Sequence, residues 1–172
     1  MPSEFQYKFH LENKNELLEK LQRAKIELTP PVSYMYTYFK PPRRIKSSFA
    51  VIRVKESERE KMIDMKIRNN KTEEWEHLES KVEDSQQIIK ILEIIGCKAM
   101  VIFRKSRQTY LGRSFRLDLD VYKGLGAFLE IKFNLPNKEK TESFLQQIGI
   151  DPAKHDRRSI VEIYLLKQKS LL

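Results

Sequence analysis

Residues 4–9, EFQYKF, alternate without interruption: Phe5, Tyr7 and Phe9 fall on one side of an extended strand, and Glu4, Gln6 and Lys8 on the other. A single strand of this kind needs no more than a core on one face and water on the other. The same unusual polar content recurs, however. In FAVIRVKE, Ile52 and Val54 alternate with Arg53 and Lys55, and in KMIDMKIR, Ile63, Met65 and Ile67 alternate with Asp64, Lys66 and Arg68, which reads as a hairpin. A strand starting near Tyr34, an extended TEEWEHLESKVE, and three strands in AMVIFRKSRQTY, SFRLDLDVY and AFLEIKFNL bring the count to about eight.

Helices fall between the strands. Leu17, Leu18, Leu21 and Ala24 stand at helical spacing behind a capping Asn13 or Asn15, and DSQQIIKILEIIG opens on a capping residue and stops at Gly96. Two short helices are expected in the tail, the second starting near Asp156. Proline ends the first helical pattern at TPPVS, and KPPRRIKSS reads as a basic loop. An α+β chain with this many adjacent strands favours an antiparallel sheet curled toward closure.

The 172 residues suit one domain, 1–172. The formal net charge of +9 asks for a polyanionic partner. Cys97 is the only cysteine, which excludes an internal disulfide and fits a reducing compartment. The chain opens on a charged strand rather than an apolar leader, and no apolar run reaches the roughly 20 residues that span a bilayer. A soluble cytoplasmic protein with no membrane partner is expected.

One set of alternating positions collects Lys8, Arg53, Lys55, Lys66, Arg68, Lys105, Arg107 and Arg116, with the acids Glu4, Glu79, Asp118, Asp120 and Glu130 in the same phase. If helices cover the apolar faces of a closed sheet, these charges line its interior, where converging cations repel unless an anion joins them. A chain of linked phosphates fits best. Arginine offers forked donors, lysine a point charge, and the carboxylates can hold Mg²⁺ or Mn²⁺ bridging to phosphate oxygens. P-loop and nucleophile-elbow segments are missing from the sequence, and His10, His77 and His155 lack zinc-ligand spacing. Tyr34, Tyr36 and Tyr38 beside the basic loop read as a core strand rather than a nucleic-acid surface, so no nucleic-acid partner is expected.

The segments EFQYKF, FAVIRVK, MKIR, VIFRKSRQTY and LDVYKGLGAFLEIKF, in this order, resemble the CYTH superfamily of triphosphate tunnel proteins over nearly the whole chain. The family includes class IV adenylyl cyclases and thiamine or inorganic triphosphatases. The resemblance implies a closed antiparallel eight-stranded barrel with flanking helices. It implies triphosphate binding by Lys8, Arg53, Lys66, Arg68, Lys105, Arg107 and Arg116, with Lys8, Lys66 and Glu130 as the catalytic set. Glu4, Glu79, Asp120 and Glu130 would be the ligands of Mg²⁺ or Mn²⁺. LGAFLEIKF leans toward the class IV cyclase branch, converting ATP to cyclic AMP and pyrophosphate. A triphosphatase acting on thiamine triphosphate or tripolyphosphate is the alternative, and a homodimer is compatible with the sequence. His77 stands where another acid is common, and two further departures stand out: Gln6 replaces a family glutamate, and Lys132 replaces the second acid of the usual EIE stretch. Both weaken a metal site more than a phosphate site, which adds a non-catalytic nucleotide or polyphosphate binder to the readings.

Overall fold

The computed structural model describes residues 4–42, 49–69, 71–72 and 74–169. The basic loop expected at 40–48 lies outside these residues from position 43 onward. Eight strands form one antiparallel sheet: β1 (Phe5–Leu11), β2 (Val32–Lys40), β3 (Phe49–Glu56), β4 (Lys61–Arg68), β5 (Trp75–Lys81), β6 (Lys98–Leu111), β7 (Arg116–Tyr122) and β8 (Gly126–Phe133). Their order across the sheet is β1-β8-β7-β6-β2-β3-β4-β5. Among the described residues the edge strands pair only where Glu4 and Trp75 exchange two backbone hydrogen bonds, Glu4 N–H to Trp75 O at 3.2 Å and Trp75 N–H to Glu4 O at 3.0 Å. "Closed" therefore overstates the expected barrel. The sheet curls until its edges touch at one bridge, and the segment before the last helix runs along the seam, with the Asp156 N–H bonded to Lys8 O at 2.7 Å.

The alternation decides which side faces in. Tyr7, Phe9, Leu117, Leu119, Leu129 and Ile131 point outward and are buried together with Leu17 and Leu21 of α1 (Lys14–Arg23) and Leu145 of α3 (Lys138–Gln147). Val54 and Phe39 point outward under Leu92 of α2 (Ser85–Ile94). Two of the helix starts are the expected ones: the Asn13 side chain accepts from the Asn15 and Glu16 N–H groups, and that of Asp84 from those of Gln86 and Gln87. Gly96, at φ 92°, supplies the left-handed turn that ends α2.

The last helix, α4 (Ile160–Lys169), begins four residues beyond the expected start near Asp156. Asp156 is instead tied to its own loop by Arg158, and Ser159 is the cap. Its Oγ accepts from Glu162 N–H at 3.1 Å while the Glu162 carboxylate accepts from Ser159 N–H at 2.6 Å. Ile160 and Val161 then plug the inside of the curled sheet against Tyr36, Tyr38, Phe103 and Phe128. Ser159→Ala is expected to cost about 1 kcal/mol of stability, the usual value of such a cap, measured by urea unfolding.

Candidate functional site: a cationic cup inside the sheet

The inward face encloses a cavity of about 770 Å³ whose base is Ser159, Ile160 and Val161. Ten lysines and arginines line it against four glutamates, a local excess of positive charge. Lys8, Arg53, Lys66, Lys105, Arg107 and Arg116, six of the seven residues expected to hold phosphates, are all on this wall. Arg68 is the exception. It lies outside the cavity, donating to the Arg157 carbonyl and the Glu162 carboxylate and stacking on Phe49 and Trp75. Its place at the end of β4, beside the seam segment, gives it these partners instead of the cup.

Behind the lining sit three fully buried aspartates, Asp64, Asp118 and Asp120. Cross-strand register puts Arg53 opposite Asp64 and Arg107 opposite Asp120. Arg53 Nε donates to Asp64 Oδ1 and Arg107 Nε to Asp120 Oδ1, both at 2.6 Å. Lys55 Nζ lies 2.7 Å from Asp64 Oδ2, Lys105 Nζ 2.8 Å from Asp120 Oδ2, and Lys132 Nζ 3.3 Å from Asp118 Oδ2. Asp118 Oδ1 also accepts from Arg116 Nε at 2.9 Å, and Arg107 Nη1 lies 3.2 Å from its Oδ2 as an ion pair. Burial by itself would raise all three carboxyls; the adjoining cations, led by Arg53, Lys132 and Arg107 respectively, hold them well below the usual aspartate range.

Two ammonium groups are not compensated to this degree. The nearest acid to Lys66 is Glu4 at 3.7 Å, and it donates to Gln6 Oε1 at 3.3 Å. Burial, reinforced by the charges of Lys132 and Arg53, pushes its pKa well below the ordinary lysine value. Lys8 is 3.7 Å from Glu130 and donates to the Arg158 carbonyl at 2.9 Å, and burial lowers it too, with Glu130 opposing. The phenol of Tyr36 reports the same field. Burial would raise it, yet Lys105, Arg107, Arg53 and Lys55 bring it below its ordinary value. The cup is thus a desolvated, positive space in which an anion gains on both counts.

Tyr36 and Tyr38 are buried in the core cluster with Tyr34 packed against it, as the core-strand reading has it, and all three also line the cup, where the Lys105 ammonium stands 4.4 Å from the centre of the Tyr36 ring. The Y-x-Y-x-Y spacing within residues 34–38 was the available signal, because it places all three rings on the inward face.

The four acids expected to bind metal are spread out. Asp120 has both oxygens taken by Lys105 and Arg107, Glu130 lies between Lys8 and Arg107, and Glu4 faces Lys66 at the seam. Only Glu79 belongs to a convergent group. Its carboxylate, His77 and Asp64 bring ligand atoms within 4.8 Å of one another, among the described residues the one set that could hold a divalent cation. Asp64 and His77 were not in the expected metal set. The Lys55 ammonium already touches this group, 2.7 Å from Asp64 and 3.1 Å from Glu79.

The model of the CYTH domain matches residues 3–160, and the chain belongs to that family. It is 22% identical over 150 residues to a Methanocaldococcus jannaschii protein named "Putative adenylate cyclase MJ0240", a match covering 84% of this chain and 85% of that one. Among solved structures, the PH1012 protein of Pyrococcus horikoshii OT3 superposes with a TM-score of 0.81 at 19% identity, covering 93% of this chain and 98% of that one. HpAC1 from Hippeastrum, described as having a dominant triphosphatase activity, superposes with a TM-score of 0.61 at 16% identity over 99% of this chain and 97% of that one. These structural likenesses carry the fold. Among the described residues no helix is long and apolar enough to cross a membrane.

Proposed function

We propose that the chain binds the triphosphate group of a small molecule in the cationic cup and acts on it as a class IV adenylyl cyclase-like enzyme. The observation that carries this reading is the pair of buried, under-compensated ammonium groups, Lys8 and Lys66, facing one enclosed space. Linked phosphates laid along the wall would accept from Lys66, Lys8, Arg53, Lys105 and Arg107, while Glu130 positions Lys8 and Arg107 by its ion pairs. In the cyclase reaction the ribose 3′-oxygen of ATP attacks the α-phosphorus and the bond to the β-phosphate breaks. Pyrophosphate then leaves into the cationic wall and the hydroxyl proton passes to solvent. The chain supplies alignment and charge neutralisation, the two largest contributions in phosphoryl chemistry.

A triphosphatase is the second reading, supported by cations that continue to the rim. Lys81 and Arg113 are exposed yet still line the cup, so the cationic lining extends beyond the buried wall. Here water attacks the terminal phosphorus and orthophosphate leaves. Incubation with ATP, thiamine triphosphate and tripolyphosphate, each with Mg²⁺ or Mn²⁺, followed by chromatography of the products, separates the cases. Cyclic AMP with pyrophosphate selects the cyclase, orthophosphate the hydrolase, and binding without turnover a polyphosphate or nucleotide binder. No binding of any of the three overturns the triphosphate reading itself.

A further inference from the structure

Each buried aspartate of the cup is matched in the same way. Asp64 holds an arginine, Arg53, and a lysine, Lys55; Asp118 holds Arg116 and Lys132; Asp120 holds Arg107 and Lys105. The Asp64 pair matters most, because Asp64 is also part of the Asp64, His77 and Glu79 group. The Lys55 ammonium stands where a divalent cation would meet these ligands, in contact with Asp64 and Glu79, and its side chain is only 11% exposed.

We infer that Lys55 is a built-in cation that occupies the carboxylate–histidine cradle in place of a divalent metal. A dication entering there would meet Lys55 and the Arg53 fork at contact distance, and expelling Lys55 would leave its charge buried without a partner. His77 contacts the same two carboxylates, 3.1 Å from Asp64 and 3.5 Å from Glu79. The Mg²⁺ or Mn²⁺ expected from the sequence is therefore not a resident of this cradle. Phosphates in the cup therefore meet the side-chain cations directly, Lys8 and Lys66 first, without an ion held in this cradle. This last step rests on the triphosphate reading above, whereas the occupancy of the cradle does not.

Mn²⁺ uptake by the full chain, followed by electron paramagnetic resonance of the free ion without phosphate present, tests the cradle. Wild type is expected to bind no Mn²⁺ tighter than about 1 mM, and Lys55→Met to gain one site at least about tenfold tighter. That site should be lost again when His77→Ala is added. A sub-millimolar site in wild type that His77→Ala removes overturns the inference, as does a folded Lys55→Met chain that gains none; Lys55→Gln is the second variant should the first not fold. Tripolyphosphate titrated in EDTA and in Mg²⁺ at matched ionic strength tests the consequence, with affinities expected within about threefold of each other. Binding only in Mg²⁺ overturns the inference. No binding in either medium overturns the triphosphate reading and leaves the cradle to be decided by Mn²⁺.

Discussion

Lys66→Met is expected to weaken tripolyphosphate binding about 10- to 100-fold, the value of one charge-assisted contact in a desolvated site. The magnitude follows from what Lys66 has in the free protein. With its closest acid 3.7 Å away and an amide as hydrogen-bond acceptor, it gives up little when an anion arrives. Lys105, already 2.8 Å from Asp120, has more to lose, and its removal should cost binding less. The ligand-free Lys66→Met protein should be at least as stable as wild type, because it no longer buries a poorly paired charge beside the Trp75 ring. Thermal unfolding with and without tripolyphosphate separates the two effects. Weakened binding together with a large loss of ligand-free stability would mean that Lys66 is a structural prop instead.

The same lysine gives the site a pH signature. Its folded pKa lies below the ordinary 10.5, so in the free protein the ammonium form is destabilising, and that penalty is relieved as pH rises from the lowered value toward 10.5. A bound polyanion favours the charged form and draws the proton back. Binding should therefore take up a proton in that window, and affinity should fall as pH rises. Calorimetry in two buffers of different ionisation enthalpy reads the proton uptake, which should diminish in Lys66→Met.

The inside of the sheet was legible because alternation is a strong signal: a strand offers only two faces, and the cations of β1, β3, β4 and β6 kept one phase. The partnerships were not legible, since they depend on register. Whether Asp64 meets Arg53 or Lys66 meets an acid is fixed by which residue stands opposite across each ladder, and sequence alternation leaves that free. Asp64 was visible in the alternating face of KMIDMKIR, but nothing local distinguished a buried anchor from a solvated acid. Arg68 shows the converse. It shares its phase with Lys66, yet its position at the strand end decided its partners. The late start of α4 is different, for Ser159 and Glu162 spell out the S-x-x-E capping box and were readable.

Asp64→Ala is expected to destabilise the fold by about 3–5 kcal/mol, the cost of leaving buried charges without their partner. Arg53 and Lys55, 12% and 11% exposed, would both lose their principal carboxylate, and Lys55 would keep only Glu79. Asp64→Asn preserves the shape and should recover only a part of the loss, which identifies charge rather than packing as the cause. The carboxyl is held well below its ordinary 3.8 chiefly by Arg53 against the effect of burial, so its stabilisation is present at neutral pH and fades as pH drops below about 4. Wild type and variant should accordingly converge in acid, as read by urea unfolding across pH. Tripolyphosphate should then stabilise Asp64→Ala more than wild type, because the cations released by the missing aspartate become available to the ligand. A cost under about 1 kcal/mol, the range of solvent-exposed ion pairs, would show that the buried aspartates do not hold the cationic wall together.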